Sequence, residues 1–145
     1  MKFTEGYWLQ SESAHSLYAM QVYEIEEIEN GMRIVASTGP VQSRGATLNM
    51  PTITIEFTAA AENVISVRAW HYEAYDRKEP RFEVKKSSCR SSFTRNEKEA
   101  VLTAGEVSVR VDLERWGYSF WAKGKRLTGC GFRNLGYIRW NRKAS

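Results

Sequence analysis

Apolar and polar residues alternate along several short segments of the chain, which is the pattern of strands that cover a core with one face. Residues 52–58 place Ile53, Ile55 and Phe57 on one face, and residues 107–112 repeat the pattern with three valines. Helical periodicity is weak throughout the chain. The pattern therefore predicts an all-β protein.

Turn-forming dipeptides separate these segments. Asn30-Gly31 lies between two alternating segments and tolerates positive φ, so it predicts a type I′ hairpin turn there. Strands and hairpins are also predicted as follows: 100–102 joined to 107–111 through Ala104-Gly105, 118–121 joined to 126–128 through Lys123-Gly124, and a further strand at 64–72. About eight short strands at this spacing predict an antiparallel β-sandwich.

Residues 73–98 break the pattern. The segment is dense in charge, carries two Ser-Ser pairs and alternates little. We interpret it as a long excursion from the sandwich, with one edge strand around residues 81–84. Long loops of this kind are either functional or disordered, and the sequence does not decide between the two.

Length and composition fit one globular domain spanning residues 1–145. A chain of this size buries about 70% of the surface that its unfolded form exposes, and 42% apolar with 26% charged residues is a globular composition. The sequence has no apolar run of membrane-spanning length, and its start lacks the apolar segment of a secretory signal. We expect a soluble cytoplasmic protein in which Cys89 and Cys130 are free thiols.

Charge is distributed unevenly along the chain. The formal net charge is +4, yet acids crowd one early strand at Glu24, Glu26, Glu27 and Glu29. From residue 116 onward there is no acid, and the bases are Lys123, Lys125, Arg126, Arg133, Arg139, Arg142 and Lys143. The basic set is either a nucleic-acid surface or the solvated outer faces of strands, lying beside the acidic strand or beside sequence outside this chain. We favour the second interpretation and expect no nucleic-acid partner, because the basic residues match no recognition motif.

The residue types needed for catalysis or metal binding do not occur in recognisable patterns. His15, assigned to a polar loop, and His71, near a strand end, belong to no zinc-binding motif. The chain has no nucleophile elbow, Walker loop or dinucleotide-binding glycine pattern, and the clustered glutamates are not a carboxylate pair placed across a sugar ring. We therefore expect no catalytic residue, no cofactor and no metal.

The five tryptophans raise the question of sugar stacking. They are Trp8, Trp70, Trp116, Trp121 and Trp140. Trp116, Tyr118 and Phe120 alternate as core residues do, whereas Trp121 falls on the opposite face. Core packing is the favoured interpretation, and the sequence leaves any sugar-binding residue unidentified.

Several segments resemble, in order, the α-xylosidase branch of glycoside hydrolase family 31. The opening MKFTEGYWL of residues 1–9 is similar to the start of that branch. Further similar segments are AMQVYEI at 19–25, RGATLNMP at 44–51, VISVRAWH at 64–71, the strand 107–111 after Gly105, Trp116 with Phe120, RLTG at 126–129, and Gly136-Tyr137. The resemblance covers most of the chain and is weakest over residues 73–98.

The resemblance implies a β-sandwich related to galactose mutarotase, incomplete here, that precedes a catalytic (β/α)8 barrel. The family's catalytic aspartates lie in barrel motifs that this chain does not contain. The resemblance therefore implies a noncatalytic N-terminal accessory domain of an α-xylosidase or α-glucosidase. Such a domain packs on the catalytic barrel and shapes access to the substrate site. We expect exposed sheet edges that bind a partner or self-associate. The alternatives are a free-standing carbohydrate-binding module and, after it, a basic nucleic-acid-binding domain.

Overall fold

The computed structural model describes residues 4–5, 9–71 and 89–140, and these residues form strands joined mostly by short turns, with a longer connection at 38–51. A single 3-10 turn, Arg44–Thr47, is the helical element among them. The strands are β1 (Thr4–Glu5), β2 (Leu9–Gln10), β3 (Ala14–Tyr18), β4 (Gln21–Ile28), β5 (Gly31–Ser37), β6 (Thr52–Ala61), β7 (Val64–Trp70), β8 (Ser91–Arg95), β9 (Glu99–Ala104), β10 (Val107–Asp112), β11 (Gly117–Ala122), β12 (Lys125–Cys130) and β13 (Gly136–Trp140). The all-β prediction is confirmed.

Two antiparallel sheets pack face to face. Sheet I has the strand order β4-β5-β6-β7, and sheet II has the order β12-β11-β10-β9-β8. Strands β5, β6 and β7 of sheet I contact β8, β9 and β10 of sheet II, respectively. Two smaller antiparallel pairs, β1 with β2 and β3 with β13, accompany the sheets. The predicted antiparallel sandwich is confirmed.

The core lies between the two sheets, where their alternating apolar residues meet. In sheet I, Ile55 of β6 pairs with Ile34 of β5 and both are fully buried. In sheet II, Leu102 of β9 pairs with Val109 of β10, and both are again fully buried. The alternation read from residues 52–58 and 107–112 is therefore the alternation of core and outer faces.

The Asn30-Gly31 hairpin is present, but its turn lies one residue earlier than predicted. Ile28 pairs with Gly31, so Glu29 and Asn30 form the turn, with Asn30 at φ 54°. Gly31 is instead the buried first residue of β5, where an added Cβ would collide with the backbone oxygen of Phe57 on β6. Close approach of a neighbouring strand, and not a positive φ, is what Gly31 permits.

The other two predicted hairpins are also present. Lys123 and Gly124 form the turn between β11 and β12, with φ of 50° and 72° as a type I′ turn requires. The turn between β9 and β10 consists of Gly105 and Glu106, one residue later than predicted, because Ala104 still pairs with Val107.

The interpretation of residues 73–98 as an excursion is wrong at its end, because Ser91–Arg95 forms strand β8 beside β9. Phe93 packs against the core, while its neighbours Ser92 and Thr94 are exposed. One apolar residue among serine, threonine and arginine gives little alternation, although the strand is paired. The edge strand predicted at 81–84 lies outside the described residues.

The resemblance implied a closing strand at Gly136-Tyr137, where β13 begins. Strand β3 was not predicted, and His15 is part of it rather than of a polar loop. His15 is exposed and pairs with Arg139 of β13. His71 follows β7, as predicted for a strand end, and its ring stacks on Tyr137 of β13 with ring centroids 3.8 Å apart. This stack joins the end of sheet I to the β3–β13 pair.

Candidate functional site

The outer face of sheet I carries a row of alternating charges. Backbone register places Glu26 of β4, Arg33 of β5, Glu56 of β6 and Arg68 of β7 opposite one another in turn. Arg33 donates to Glu56 Oε1 from Nε at 2.9 Å and from Nη2 at 2.7 Å, and to Glu26 Oε1 from Nη1 at 2.6 Å. These bonds, first those to Glu56, hold the pKa of Arg33 above its ordinary value. The charges of this row are thus balanced within the sheet.

Trp70 lies on the same outer face, one row along from these charges. Glu24, Val35, Thr54 and Trp70 follow one another across the strands, and the guanidinium of Arg68 lies 5.8 Å from the Trp70 ring centroid. A shallow depression of about 330 Å³ is lined by Glu24, Glu26, Arg33, Val35, Thr54 and Trp70. An indole beside balanced charges can contact a polar ligand or a protein surface.

The outer face of sheet II carries a larger depression, of about 620 Å³. Among its lining residues, the guanidinium of Arg110 lies 4.5 Å from the ring centroid of Trp121, within cation–π range. Trp121 Nε1 donates to Ser119 Oγ at 2.8 Å, which fixes the indole against the strand. Arg126 pairs with Trp121 from β12, and its Nη2 lies over Gly129. We call Arg110, Trp121 and Arg126 the arginine–tryptophan patch.

The cations of this patch have no carboxylate partner among the described residues. Neither Arg110 nor Arg126 takes part in an ion pair there, and Arg110 Nε is buried without a hydrogen-bond partner. Asp112, which lines the same depression, accepts instead from the backbone N–H groups of Glu114 and Arg115 at 2.9 and 2.8 Å. Among the described residues, no carboxylate therefore forms a direct ion pair with the cations of this patch.

Aromatic residues of β11 fill the space between the sheets. Tyr118 packs edge-on against Phe57, Trp116 and Phe120, with ring centroids 5.0, 6.1 and 5.8 Å apart. Burial raises the pKa of Tyr118 to about 12, and the neighbouring Cys130 adds to the shift. Burial also raises the pKa of the Cys130 thiol. These groups stay neutral at ordinary pH and serve packing.

The predicted facing of the tryptophans is confirmed where it can be observed. Trp116 belongs to the core with 5% of its surface exposed, and Tyr118 and Phe120 pack against the same cluster. Trp121 faces outward beside Arg110. Trp140 is half-buried in β13, and Trp8 lies outside the described residues. Among these tryptophans, Trp70 and Trp121 lie in surface depressions.

The acidic and basic segments do not face each other in the described sheets. Glu24 and Glu26 lie on the outer face of the edge strand β4, as expected for a charged face. Glu26 forms an ion pair with Arg33 of β5. The basic residues of the last third lie on β12, on β13 and in turns, with Lys123 3.4 Å from Glu106. Arg142 and Lys143 lie outside the described residues. The basic set is therefore distributed over different strand pairs.

The described residues contain no group of three or more His, Cys, Asp and Glu side chains placed to hold a metal ion. Within the same ranges, no helix has the length and apolar character needed to traverse a lipid bilayer. The acids of the sheet I row are tied by Arg33 on an open face, which is unlike a carboxylate pair facing a substrate across a cleft.

The sandwich is open at one edge. Phe57 of β6 is fully buried, whereas its cross-strand partner Val67 of β7, on the same core-facing side, is 39% exposed. Ala69 is exposed on this side as well. At the edge of sheet II, Leu127 of β12 is 60% exposed beside a register shift between Phe120 and Trp121. Apolar side chains are thus exposed on both edge strands, β7 and β12.

Together, these features define a β-sandwich domain with two charged outer faces and an open apolar edge. Over 129 residues, 88% of its length, the chain is 30% identical to the α-xylosidase XylQ of Lactiplantibacillus pentosus. Over an alignment of 147 positions, covering 95% of the chain, it is 26% identical to an α-xylosidase of Emericella nidulans. These similarities confirm the resemblance to the α-xylosidase branch of glycoside hydrolase family 31. The chain spans 17% and 19% of the lengths of these two relatives, and no family model matches it.

Proposed function

We propose that this chain is the noncatalytic N-terminal accessory domain of a larger family 31 α-glycosidase, an α-xylosidase or α-glucosidase. In this proposal, residues 1–145 form one domain that packs on the catalytic barrel and helps to shape its substrate site. The observation that carries the proposal is the similarity itself, which extends over 88% of the chain and only 17% of a much longer α-xylosidase. The uncovered apolar side chains of β7 and β12 support it, because such edges are usually covered by further protein.

The proposal is tested with p-nitrophenyl α-xyloside and p-nitrophenyl α-glucoside. We expect no hydrolysis by the purified 145-residue chain and hydrolysis by the longer polypeptide that contains it. Inactivity of the longer polypeptide toward both substrates, or turnover by the 145-residue chain that disappears when the chain is unfolded, would contradict the proposal.

The open edge also bears on self-association, which the sequence suggested. In the isolated chain, Val67 and Leu127 are exposed on edge strands. In the absence of the barrel, a second copy of the chain can bury these strands. We expect the isolated chain to form dimers or larger species in analytical ultracentrifugation, and the longer polypeptide to lose this association. Cys89 and Cys130 are free, as is usual in the reducing cytoplasm, where we place the protein.

A carbohydrate-binding module is the second candidate, favoured by the position of Trp70 and Trp121 in outer-face depressions. Sugar stacking on either indole would shift tryptophan fluorescence on titration with xylosyl oligosaccharides. The shift would vanish in Trp70→Ala or Trp121→Ala, with Trp140→Phe as the control. A spectrum that does not change at high sugar concentration rejects this candidate.

A further inference from the structure

The two outer faces of the sandwich differ in how their arginines are neutralised. On sheet I, Arg33 lies between Glu26 and Glu56 and bonds to both carboxylates. On sheet II, Arg110 and Arg126 lie on either side of Trp121 without a carboxylate partner in the described part of the chain. The two faces therefore differ: Arg33 on sheet I has carboxylate partners, whereas Arg110 and Arg126 on sheet II have none among the described residues.

The arginine–tryptophan patch has the composition of a binding surface. Tryptophan and arginine are the residues most enriched at the energetically important centres of protein interfaces. A guanidinium stacked on an indole keeps its N–H edge free to bond a carboxylate in two-pronged geometry. Arg110 is held in this position by Trp121, which is in turn fixed by its bond to Ser119.

Burial makes the missing partner costly. Arg110 Nε has no access to solvent and no hydrogen-bond partner, and a buried polar group without a partner destabilises the folded state. Arg110 as a whole is half-buried and Arg126 is exposed, so a carboxylate reaching the depression can bond their other guanidinium N–H groups. The depression is also lined by the acids Glu99, Asp112 and Glu114 and by the bases Lys98 and Arg115. Asp112 already accepts two backbone N–H groups, whereas Arg110 and Arg126 flank Trp121 on the neighbouring strands β10 and β12.

On the basis of the proposed function, we propose that the outer face of sheet II is the face that docks on the rest of the parent polypeptide. A carboxylate-bearing segment of that polypeptide binds Arg110 and Arg126 and covers Trp121. The longer α-xylosidase relatives, of which this chain spans less than a fifth, have ample further sequence to supply such a segment. Charge complementarity selects a protein surface that presents Asp or Glu.

The test compares the oxidation of two tryptophans by hydroxyl radicals, read by mass spectrometry, in the longer polypeptide and in the 145-residue chain. Trp121 reports on the outer face of sheet II and Trp70 on that of sheet I. We expect Trp121 to react several-fold more slowly in the longer polypeptide than in the 145-residue chain. The double variant Arg110→Gln/Arg126→Gln should lose this protection in the longer polypeptide. The matched variant Arg90→Gln/Arg139→Gln removes two exposed arginines elsewhere and should keep it.

The outcomes distinguish a failure of the proposed docking face from a failure of the proposed function. Equal reactivity of Trp121 in both proteins overturns the docking face, and if Trp70 is then protected, the accessory role stands on the other face. Protection of Trp121 that survives in Arg110→Gln/Arg126→Gln overturns the carboxylate partner. A longer polypeptide in which neither tryptophan is protected and α-glycosidase activity is absent contradicts both proposals. Tryptophan oxidation in the folded and urea-unfolded double variant identifies a folding failure.

Discussion

Asn63 Oδ1 accepts a hydrogen bond from the backbone N–H of Glu106, with donor and acceptor 2.6 Å apart. Asn63 belongs to the turn between β6 and β7 of sheet I, and Glu106 to the turn between β9 and β10 of sheet II. The bond therefore joins the two sheets at one end of the sandwich. Asn63 itself has φ 61°, a conformation that asparagine tolerates better than most residues.

Gly105→Ala should destabilise the chain more than Gly124→Ala. Both glycines have positive φ, at 62° and 72°, so each substitution costs about 1 kcal/mol in backbone strain. A Cβ at Gly105 would also collide with Asn63 Oδ1, whereas nothing lies within 4 Å of a Cβ at Gly124. Losing the Asn63 bond adds about 1 kcal/mol. Urea unfolding of the two variants measures the difference, and equal free energies of unfolding would show that the sheet-to-sheet contact contributes nothing.

Within the charge row, Glu56→Gln should cost more stability than Glu26→Gln. Glu56 accepts two bonds from Arg33 and its side chain is only 16% exposed, whereas Glu26 accepts one bond and is about half exposed. We expect a loss of about 1–2 kcal/mol for Glu56→Gln, as for a charged hydrogen bond shielded from water. The expected loss for Glu26→Gln is at most about 0.5 kcal/mol, as for an exposed pair. Thermal unfolding at low and high salt checks this order, and the reverse order would contradict the assigned geometry.

Phe57 and Val67 face each other across β6 and β7 but should respond very differently to truncation. Phe57→Ala removes a fully buried ring that also contacts Tyr118, and we expect a loss of about 3–5 kcal/mol. Val67→Ala in the 145-residue chain should change stability by no more than about 1 kcal/mol, because 39% of the residue is already exposed. Denaturant titration measures both changes. A large loss for Val67→Ala would mean that the edge at β7 is already covered in this chain.

The free energy of unfolding should fall as the pH rises from about 10 to about 12, partly through Tyr118. Its hydroxyl has a pKa of about 12 in the folded protein against the ordinary value of 10.0. As the pH rises, the unfolded chain therefore loses this proton before the folded protein does. The contribution of Tyr118 to stability is complete below pH 10 and disappears as the pH passes through the pKa of the folded protein. The raised pKa of Cys130 acts with the same sign. Tyr118→Phe should flatten the decline in urea unfolding measured across this range, whereas Tyr23→Phe, at an exposed position, should not. Identical slopes for the two variants would contradict this role.

The parts of the fold that the sequence predicted are those encoded by local alternation. Local alternation is enough to predict the buried face formed by Ile53, Ile55 and Phe57. The same holds for the face formed by Trp116, Tyr118 and Phe120. Trp121 could be assigned to the outer face for the same reason. The pairing of β3 with β13 joins residues more than a hundred positions apart, and no local pattern specifies such a partner.

The candidate surfaces depended on register and were not predictable in the same way. The contact of Arg33 with Glu56 requires β5 and β6 to pair in one register, since a slip of one residue would move Glu56 to the core face. The stack of Arg110 on Trp121 likewise spans β10 and β11. Sequence reasoning singled out Trp121 by its face, but it missed Arg110 because one arginine within a strand of alternating valines resembles any outward-facing charge.

The most direct test of the accessory role is to separate the 145-residue chain from the rest of the parent polypeptide and mix the two purified parts. We expect the remainder alone to lose stability or α-glycosidase activity. The 145-residue chain should bind it as a one-to-one complex in analytical ultracentrifugation and recover part of what was lost. If the remainder keeps full activity and stability, and the chain sediments separately from it, the domain is not an accessory part of the enzyme.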